Sequence, residues 1–430
     1  MPNDFETVFF DPANAKAALG QLPHSPAVFA LYGADPNAEP YIGRTPNLQS
    51  RLERLLQPSP KHPRRLHVAG LVRRIEWRLT GSEFESLLAQ FSLVEKIFGA
   101  KALERMHLRP PAFVRFLGSN PYPRVTVTHR PSLREADWAY GPFPSRAAAE
   151  RYAEEMLKLF LLRRCTFELA PDPSYPGCVY SEMKMCLAPC FKGCTDERYA
   201  QESSEVEKFL ATRGESRLVN LRAERDQASA DLAFESAAAF HAQIQRLESV
   251  RALAAELVRP LSQLRAMILQ ASANPDEVAV FLFDDGRLCG PAPFSTLGMR
   301  IQNEQSGSTS LFAQPLAIEP VPEGQGTEKE GQGTKEQGTD EQAPDSRIPR
   351  TVLESRLEGV LAGLAADAAP PSATVRQAHL ALLKRWYYRP EAKRAGEIFF
   401  PDSEERWPSK AILRGVGRVA AKSILPPPRA

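Results

Sequence analysis

The chain reads as an α+β protein of several domains. Three observations predict this. Its 430 residues exceed a single core, and 43% are hydrophobic, enough to build more than one. The first quarter alternates short strand-like and helix-like runs. A later stretch of 36 residues, LVNLRAERDQASADLAFESAAAFHAQIQRLESVRAL, has no Pro or Gly and is rich in helix formers.

Taken in order, FETVFFDP and DPANAKAALGQLP form a lead-in. PAVFALYG alternates apolar and small residues and predicts a strand, ADPNAEP a turn, and PYIG a second strand. Leu48, Leu52 and Leu55 recur at helical spacing. LVRRIEWRLTG reads as a further strand, and SEFESLLAQFSLVEKIFG as an amphipathic helix opened by a Ser82/Glu85 capping box. The 36-residue stretch predicts two helices broken near Asp231. DEVAVFLFDDGRLCGPAPF predicts two strands. The tract EGQGTEKEGQGTKEQGTDEQ has almost no apolar residue and predicts a disordered insert.

No apolar run reaches membrane length, and the chain is expected to have no membrane contact. MPNDFETVFFDP is acidic and lacks the apolar centre of a secretory signal, so a cytoplasmic, reducing location is expected. Five of six cysteines lie within thirty residues: Cys165, Cys178, Cys186, Cys190 and Cys194. In a reducing compartment such clustering favours a metal site over disulfides, and four thiolates suit zinc or an iron–sulfur cluster.

Net charge is only +2, but from Arg44 to Arg78 nine Lys or Arg stand against two Glu. This block, with Arg73 and Arg74 in it, is a candidate footprint for nucleic-acid phosphates, or else a solvated basic face. HLALLKRWYYRPEAKR interleaves cations with Trp386, Tyr387 and Tyr388. That pattern suits either stacked bases or a helix with buried aromatics, and the buried helix is the preferred reading. KAILRGVGRVAAKSIL carries Gly415 and Gly417 at the spacing of a helix-hairpin-helix turn.

Several of these segments together resemble the UvrC excinuclease family. Gly141-Pro142-Phe143, Arg163 to Cys165, Cys186 to Cys190, Gly193 and Tyr199 match the segment that joins that family's two halves. The resemblance implies an iron–sulfur cluster, of the 4Fe-4S kind, on Cys165, Cys178, Cys186 and Cys190, with zinc as the alternative. Cys194 is then a spare thiol or an alternative ligand.

Pro26-Ala27-Val28-Phe29, Tyr41-Ile42-Gly43-Arg44 and Asn47-Leu48-Gln49-Ser50-Arg51 resemble the GIY-YIG nuclease domain that begins UvrC. The resemblance assigns Tyr41 the base or orienting role and Arg51 a phosphate contact, with Arg44 at the motif lysine. It implies Mg²⁺ or Mn²⁺ if the site is active. Two positions depart. Phe29 stands where a tyrosine is expected, and Gln90 where the metal-binding glutamate is expected. An amide lacks the charge that retains a hard cation. Two functions follow: a DNA-incising nuclease of excision repair, or a DNA-binding or assembly protein that no longer cuts.

Leu232, Phe234, Glu235, Ala237, Ala238 and Ile244 resemble the UVR motif, a helical hairpin that pairs with UvrB. The resemblance implies a UvrB-like partner touching Leu232, Phe234, Glu235, Ala238 and Ile244. His241-Ala242 replaces the motif's Arg-Asp pair. The family's second nuclease centre needs two aspartates and a histidine in a C-F-D-x-S-H run. No such run occurs, and that centre is expected to be missing. The implied organisation is a nuclease-like domain at 22–115 and a linker helix with cysteine segment at 116–200. The hairpin follows at 201–256, a remnant of an RNase-H-like domain at 257–320, the insert at 321–348 and a basic segment at 349–430.

Overall fold

A computed structural model of the protein describes residues 5–56, 69–299, 348–366 and 371–424. The low-complexity tract at 323–342 and the middle of the basic block, 57–68, lie outside the described residues. Within the described residues are three four-stranded sheets, antiparallel throughout. No helix among them is long and apolar enough to cross a membrane.

The first sheet contains β1 (Glu6–Phe9), β2 (Ala27–Tyr32), β3 (Tyr41–Thr45) and β4 (Arg74–Leu79) in the order β1-β4-β2-β3. The strand β1 falls in the stretch read as a lead-in. It pairs with β4 at the sheet edge and leaves Phe9 81% exposed, which is why its apolar alternation is weak. The central strand β2 is buried on both faces. Ala27, Phe29 and Leu31 meet α1 (Ala15–Gly20) and α2 (Leu48–Leu56), while Val28 and Ala30 meet α3 (Glu83–Phe98).

Helix α3 starts where the capping pair predicts. Ser82 Oγ accepts from Glu85 N at 3.1 Å, but the Glu85 carboxylate turns back to Gly81 N at 2.8 Å rather than to Ser82. A short α4 (Ala102–Arg105) leads to the second sheet. That sheet holds β5 (Ala112–Phe116), β6 (Val125–Thr128), β7 (Ala139–Phe143) and β8 (Arg259–Pro260), ordered β6-β5-β7-β8.

Helix α5 (Arg146–Leu157) covers the second sheet. The cysteine segment follows, with α6 (Val179–Glu182) inside it, and then α7 (Asp196–Ala211). Next come α8 (Glu215–Ala230) and α9 (Phe234–Arg251). The ion pairs Arg251–Glu215 at 2.7 Å and Arg222–Glu248 at 3.1 Å run these two antiparallel, as a hairpin.

The third sheet is β9 (Ala266–Ala271), β10 (Glu277–Asp284), β11 (Arg287–Ser295) and β12 (Glu397–Phe399), ordered β11-β10-β9-β12. Strand β10 splits its side chains between two cores. Val278, Val280 and Leu282 face α10 (Arg350–Ala366) and α12 (Ser409–Ile424). Ala279, Phe281 and Phe283 share a core with α3 and α11 (Ala373–Tyr387). Helix α3 therefore lies between the first and third sheets.

One local reading needs correction. Gly415 and Gly417 lie inside the continuous helix α12 and form no turn. Gly415 is small because a Cβ there would stand 2.6 Å from the Phe399 ring, so it lets α12 rest on β12. The aromatics at 386–388 follow the buried-helix reading. Trp386 is core and donates to Ala395 O at 2.9 Å, and Tyr388 donates to Pro142 O at 2.7 Å.

The turn before α3 abuts the third sheet so closely that a Cβ on Gly81 would stand 2.2 Å from the Ser272 backbone. Neither side is a flexible side chain that could yield. Gly81→Ala should destabilise the protein by about 1–3 kcal/mol, as overpacking does. Urea unfolding checks this through a lowered midpoint at unchanged slope.

Candidate functional site

Strand β3 and helix α2 bring the predicted pair together. Arg51 Nη2 donates to Tyr41 Oη at 3.4 Å, and Tyr41 is 47% exposed. An exposed phenol beside a guanidinium can meet a phosphate oxygen. Phe29 lies fully buried beneath them, its ring 6.1 Å from that of Tyr41. A Cβ on Gly43 would stand 2.8 Å from the tip of the Phe29 ring, so the Phe29–Gly43 contact fixes how close β3 lies to β2. The missing hydroxyl at Phe29 is thus a loss within the core, with no cost to packing.

Arg44 does not stand free beside the pair. Its Nη1 donates to Glu83 Oε1 at 3.1 Å. Glu83 also accepts two bonds from Arg389, at 2.6 and 2.7 Å, from a position 306 residues further along the chain. These two guanidiniums, Arg389 foremost, hold the Glu83 carboxyl down to about 2. Gln90 lies seven residues beyond Glu83, so it shares that face of α3 about 10 Å along the axis.

Glu85 is the other nearby carboxylate. It is buried and bonded to Gly81 N and Arg78 Nη2, and burial pushes its carboxyl up. Its place is at the helix start. Glu83 and Arg389 were not among the predicted site residues, and no local pattern links them.

The two candidate DNA-contact residues are engaged within the chain. Arg73 Nη1 donates to Gly70 O and Val72 O, at 2.9 and 2.8 Å. Arg74 lies over the Tyr32 ring, 4.1 Å from its centre, and pairs with Glu76 at 3.3 Å.

In the cysteine segment, Cys165, Cys178, Cys186 and Cys190 all line one small cavity, and all are free thiols. Ala188 N donates to Cys186 Sγ at 3.3 Å, and Arg163 Nη1 approaches Cys165 Sγ at 3.6 Å. Arg163 is 1% exposed and anchored to the Tyr122 and Phe167 carbonyls. Burial pushes the Cys186 thiol up to about 11. Among the described residues, no group of three or more His, Cys, Asp or Glu is arranged to hold a metal ion. The four thiols thus share a wall without the geometry of a closed ligand set. The donor types suit a soft metal, since N–H groups and a buried cation aimed at sulfur stabilise thiolates. Cys194 does not line the cavity and packs against the core of the second sheet.

In the hairpin, Leu232 and Phe234 are 71% and 67% exposed at its tip, and Glu235 and Ala238 are exposed beside them. Ile244 is a correction. It is 4% exposed and packs with Leu218, Leu221 and Leu247, so it belongs to the core of this unit and offers no partner surface.

A multidomain mixed α/β protein results, with an exposed Tyr–Arg pair and a four-thiol cavity. Residues 113–209 match the family described as UvrC/Cho excinuclease, middle domain. Over 286 residues the chain is 27% identical to the UvrABC system protein C of Alcanivorax borkumensis, covering 66% of this chain and 46% of that one. The protein of the same name from Aromatoleum aromaticum is 29% identical over 241 residues, 56% of this chain and 39% of that one. That from Dechloromonas aromatica is 27% identical over 322 residues, 72% and 51%. No solved structure matches. The chain is thus similar to proteins of the UvrC family over part of its length, and spans about half or less of the length of these relatives.

The Glu83 clasp has a pH signature. A carboxyl depressed in the folded state adds stability that is fully present above its unfolded pKa, near 4.5, and is lost as pH falls toward about 2. Arg389→Ala should raise the Glu83 carboxyl toward its ordinary value. Carbon-13 titration of the glutamate carboxyls reads this directly. The stability gap between the wild-type protein and the variant should narrow from pH 5 down to pH 2.

Proposed function

We propose that this protein serves nucleotide excision repair as a UvrC-like DNA-binding and assembly subunit, whose nuclease-like domain engages phosphate but cuts poorly or not at all. One observation carries this reading. On the α3 face that should supply the metal carboxylate, position 90 is an amide and Glu83 is neutralised between Arg44 and Arg389. Phosphodiester hydrolysis needs a divalent ion to take up leaving-group charge, and that ion needs an available carboxylate. The Tyr41–Arg51 pair still offers a donor set for a phosphate oxygen. A second reading, true DNA incision, draws on that pair and on the name of the relatives. It requires Glu83 to leave Arg389.

The four clustered thiols are proposed to hold an iron–sulfur cluster, with zinc as the alternative, as a structural centre of the cysteine segment. Ala188 N–H and Arg163 would then stabilise the sulfurs of Cys186 and Cys165. The hairpin tip, through Leu232, Phe234, Glu235 and Ala238, is proposed to dock a UvrB-like subunit. Two large apolar side chains exposed side by side support such a contact.

Purified protein should nick supercoiled plasmid poorly with Mg²⁺ or Mn²⁺. Gln90→Glu should recover nicking by at least tenfold, and Arg51→Ala should abolish that gain. Robust nicking by the unaltered chain, lost in Tyr41→Phe, would overturn the non-cutting reading. Anaerobically purified protein should carry iron and labile sulfide with broad visible absorption. One equivalent of zinc instead keeps the metal site and removes the cluster, and neither metal removes both.

A further inference from the structure

Three arginines surround the four-thiol cavity, and the rest of the fold does not neutralise them. Arg163 and Arg164 line the cavity with the cysteines. Arg124 stands close enough to interact with both Arg163 and Cys165. Among the described residues, no ion pair joins any of the three to a carboxylate. The acids nearby do not take that part. Asp172 accepts from Ser174, Asp196 accepts from Tyr122, and Glu168 is exposed.

Arg163 is the most enclosed of the three, at 1% exposure. Its Nε donates to Tyr122 O at 2.9 Å, and its Nη1 to Phe167 O at 2.9 Å as well as toward Cys165 Sγ. Its remaining nitrogen, Nη2, is buried with no partner. The same is true of Nε in Arg124 and of Nε in Arg164, whose Nη2 donates to Leu157 O at 2.8 Å. A buried donor left unanswered is unfavourable. An arginine keeps its proton in a protein, so burial cannot remove the charge. A buried cation needs a counter-charge, and neutral carbonyls supply none.

The four cysteines can supply it, but only as thiolates. Four thiolates around a doubly positive ion or cluster core leave a net charge of about −2. Four neutral thiols, or two disulfides, would leave the arginines uncompensated. The orphaned guanidinium nitrogens and the soft donor set therefore fit the same kind of group, an anionic metal–thiolate centre.

We propose that Arg163, with Arg164 and Arg124 around it, is the built-in counter-ion of such a centre. This rests on the metal centre proposed above and deepens it by stating the charge the fold is built to receive. Arg163 acts through Cys165 and is a positioning residue. An iron–sulfur cluster gains one more negative charge on reduction, so the guanidiniums favour the reduced form and raise the reduction potential. Around zinc they strengthen retention of the metal.

Metal and sulfide analysis of the anaerobically purified full chain comes first and decides the metal reading by itself. Arg163→Met then keeps the size and removes the charge. Arg163→Lys keeps the charge but lacks the fork that holds the Tyr122 and Phe167 carbonyls. With iron, voltammetry of the loaded fraction should give Arg163→Met a more negative potential, and Arg163→Lys should recover at least half of that shift. With zinc, chelator competition should show Arg163→Met binding the metal about tenfold more weakly, with Arg163→Lys closer to the wild-type protein. A purely structural role predicts lysine as damaging as methionine, since both lose the carbonyl anchors. Where Arg163→Met does not fold, Arg164→Met and Arg124→Met, at less buried positions, should move the same readout in the same direction. Lysine no better than methionine, or a readout unmoved in every variant, would overturn the counter-ion role and leave the metal centre standing. Protein that carries neither metal would overturn both.

Discussion

Everything else in this molecule hangs on the burial of α3 between two sheets. An ordinary surface helix buries one stripe, but α3 buries nine residues spread over most of its circumference. Ala89 and Leu93 close the core under Val28 and Ala30 of β2. Phe84, Leu87, Leu88 and Phe91 enter the core built with Phe281, Phe283 and Trp386. Full burial of each such large side chain contributes about 1.5–3 kcal/mol. The first and third sheets thus share one helix as a common wall. The ring of Phe84 meets Phe281 edge-on and Trp386 at a tilt, at centroid distances of 5.1 and 5.3 Å, which fixes the direction of approach.

This arrangement limits what the Tyr41–Arg51 site can be. With most of α3 covered, the strip carrying Glu83 and Gln90 is among the few parts of it left unburied. The third sheet's own helix, α11, reaches over that strip through Arg389, just beyond its end, and claims Glu83. A clasp of this kind is cheap where the side chains are partly exposed, because the ions keep much of their hydration. Its effect is electrostatic: the acid that could attract a cation already faces two guanidiniums. The charge state of the surface beside Tyr41 and Arg51 is thereby tied to the packing of the C-terminal half.

The sequence was legible wherever the signal was local. The alternation of β2 and β4, the Ser82 cap and the helix break at Asp231 all read correctly, because each depends on neighbours within a few residues. So did the meeting of Tyr41 and Arg51, which lie ten residues apart. The failures share one cause, which is distant pairing. Strand β12 completes the third sheet by pairing with β9 from more than a hundred residues away. Gly415 read as a turn because nothing local announces Phe399 beneath it. Ile244 fitted a partner motif, yet the hairpin folds it onto Leu218 and Leu221.

The central claim is that α3 makes the first and third sheets one cooperative unit. Native-state hydrogen exchange with rising denaturant tests it most directly, because each amide reports the opening that exposes it. If the claim holds, amides of β2, β4, α3, β9 and β10 converge on a single opening free energy with a common denaturant dependence. If instead β2 and β4 open in a separate, lower-energy step while β9 and β10 stay protected, the two sheets are independent and the account is contradicted.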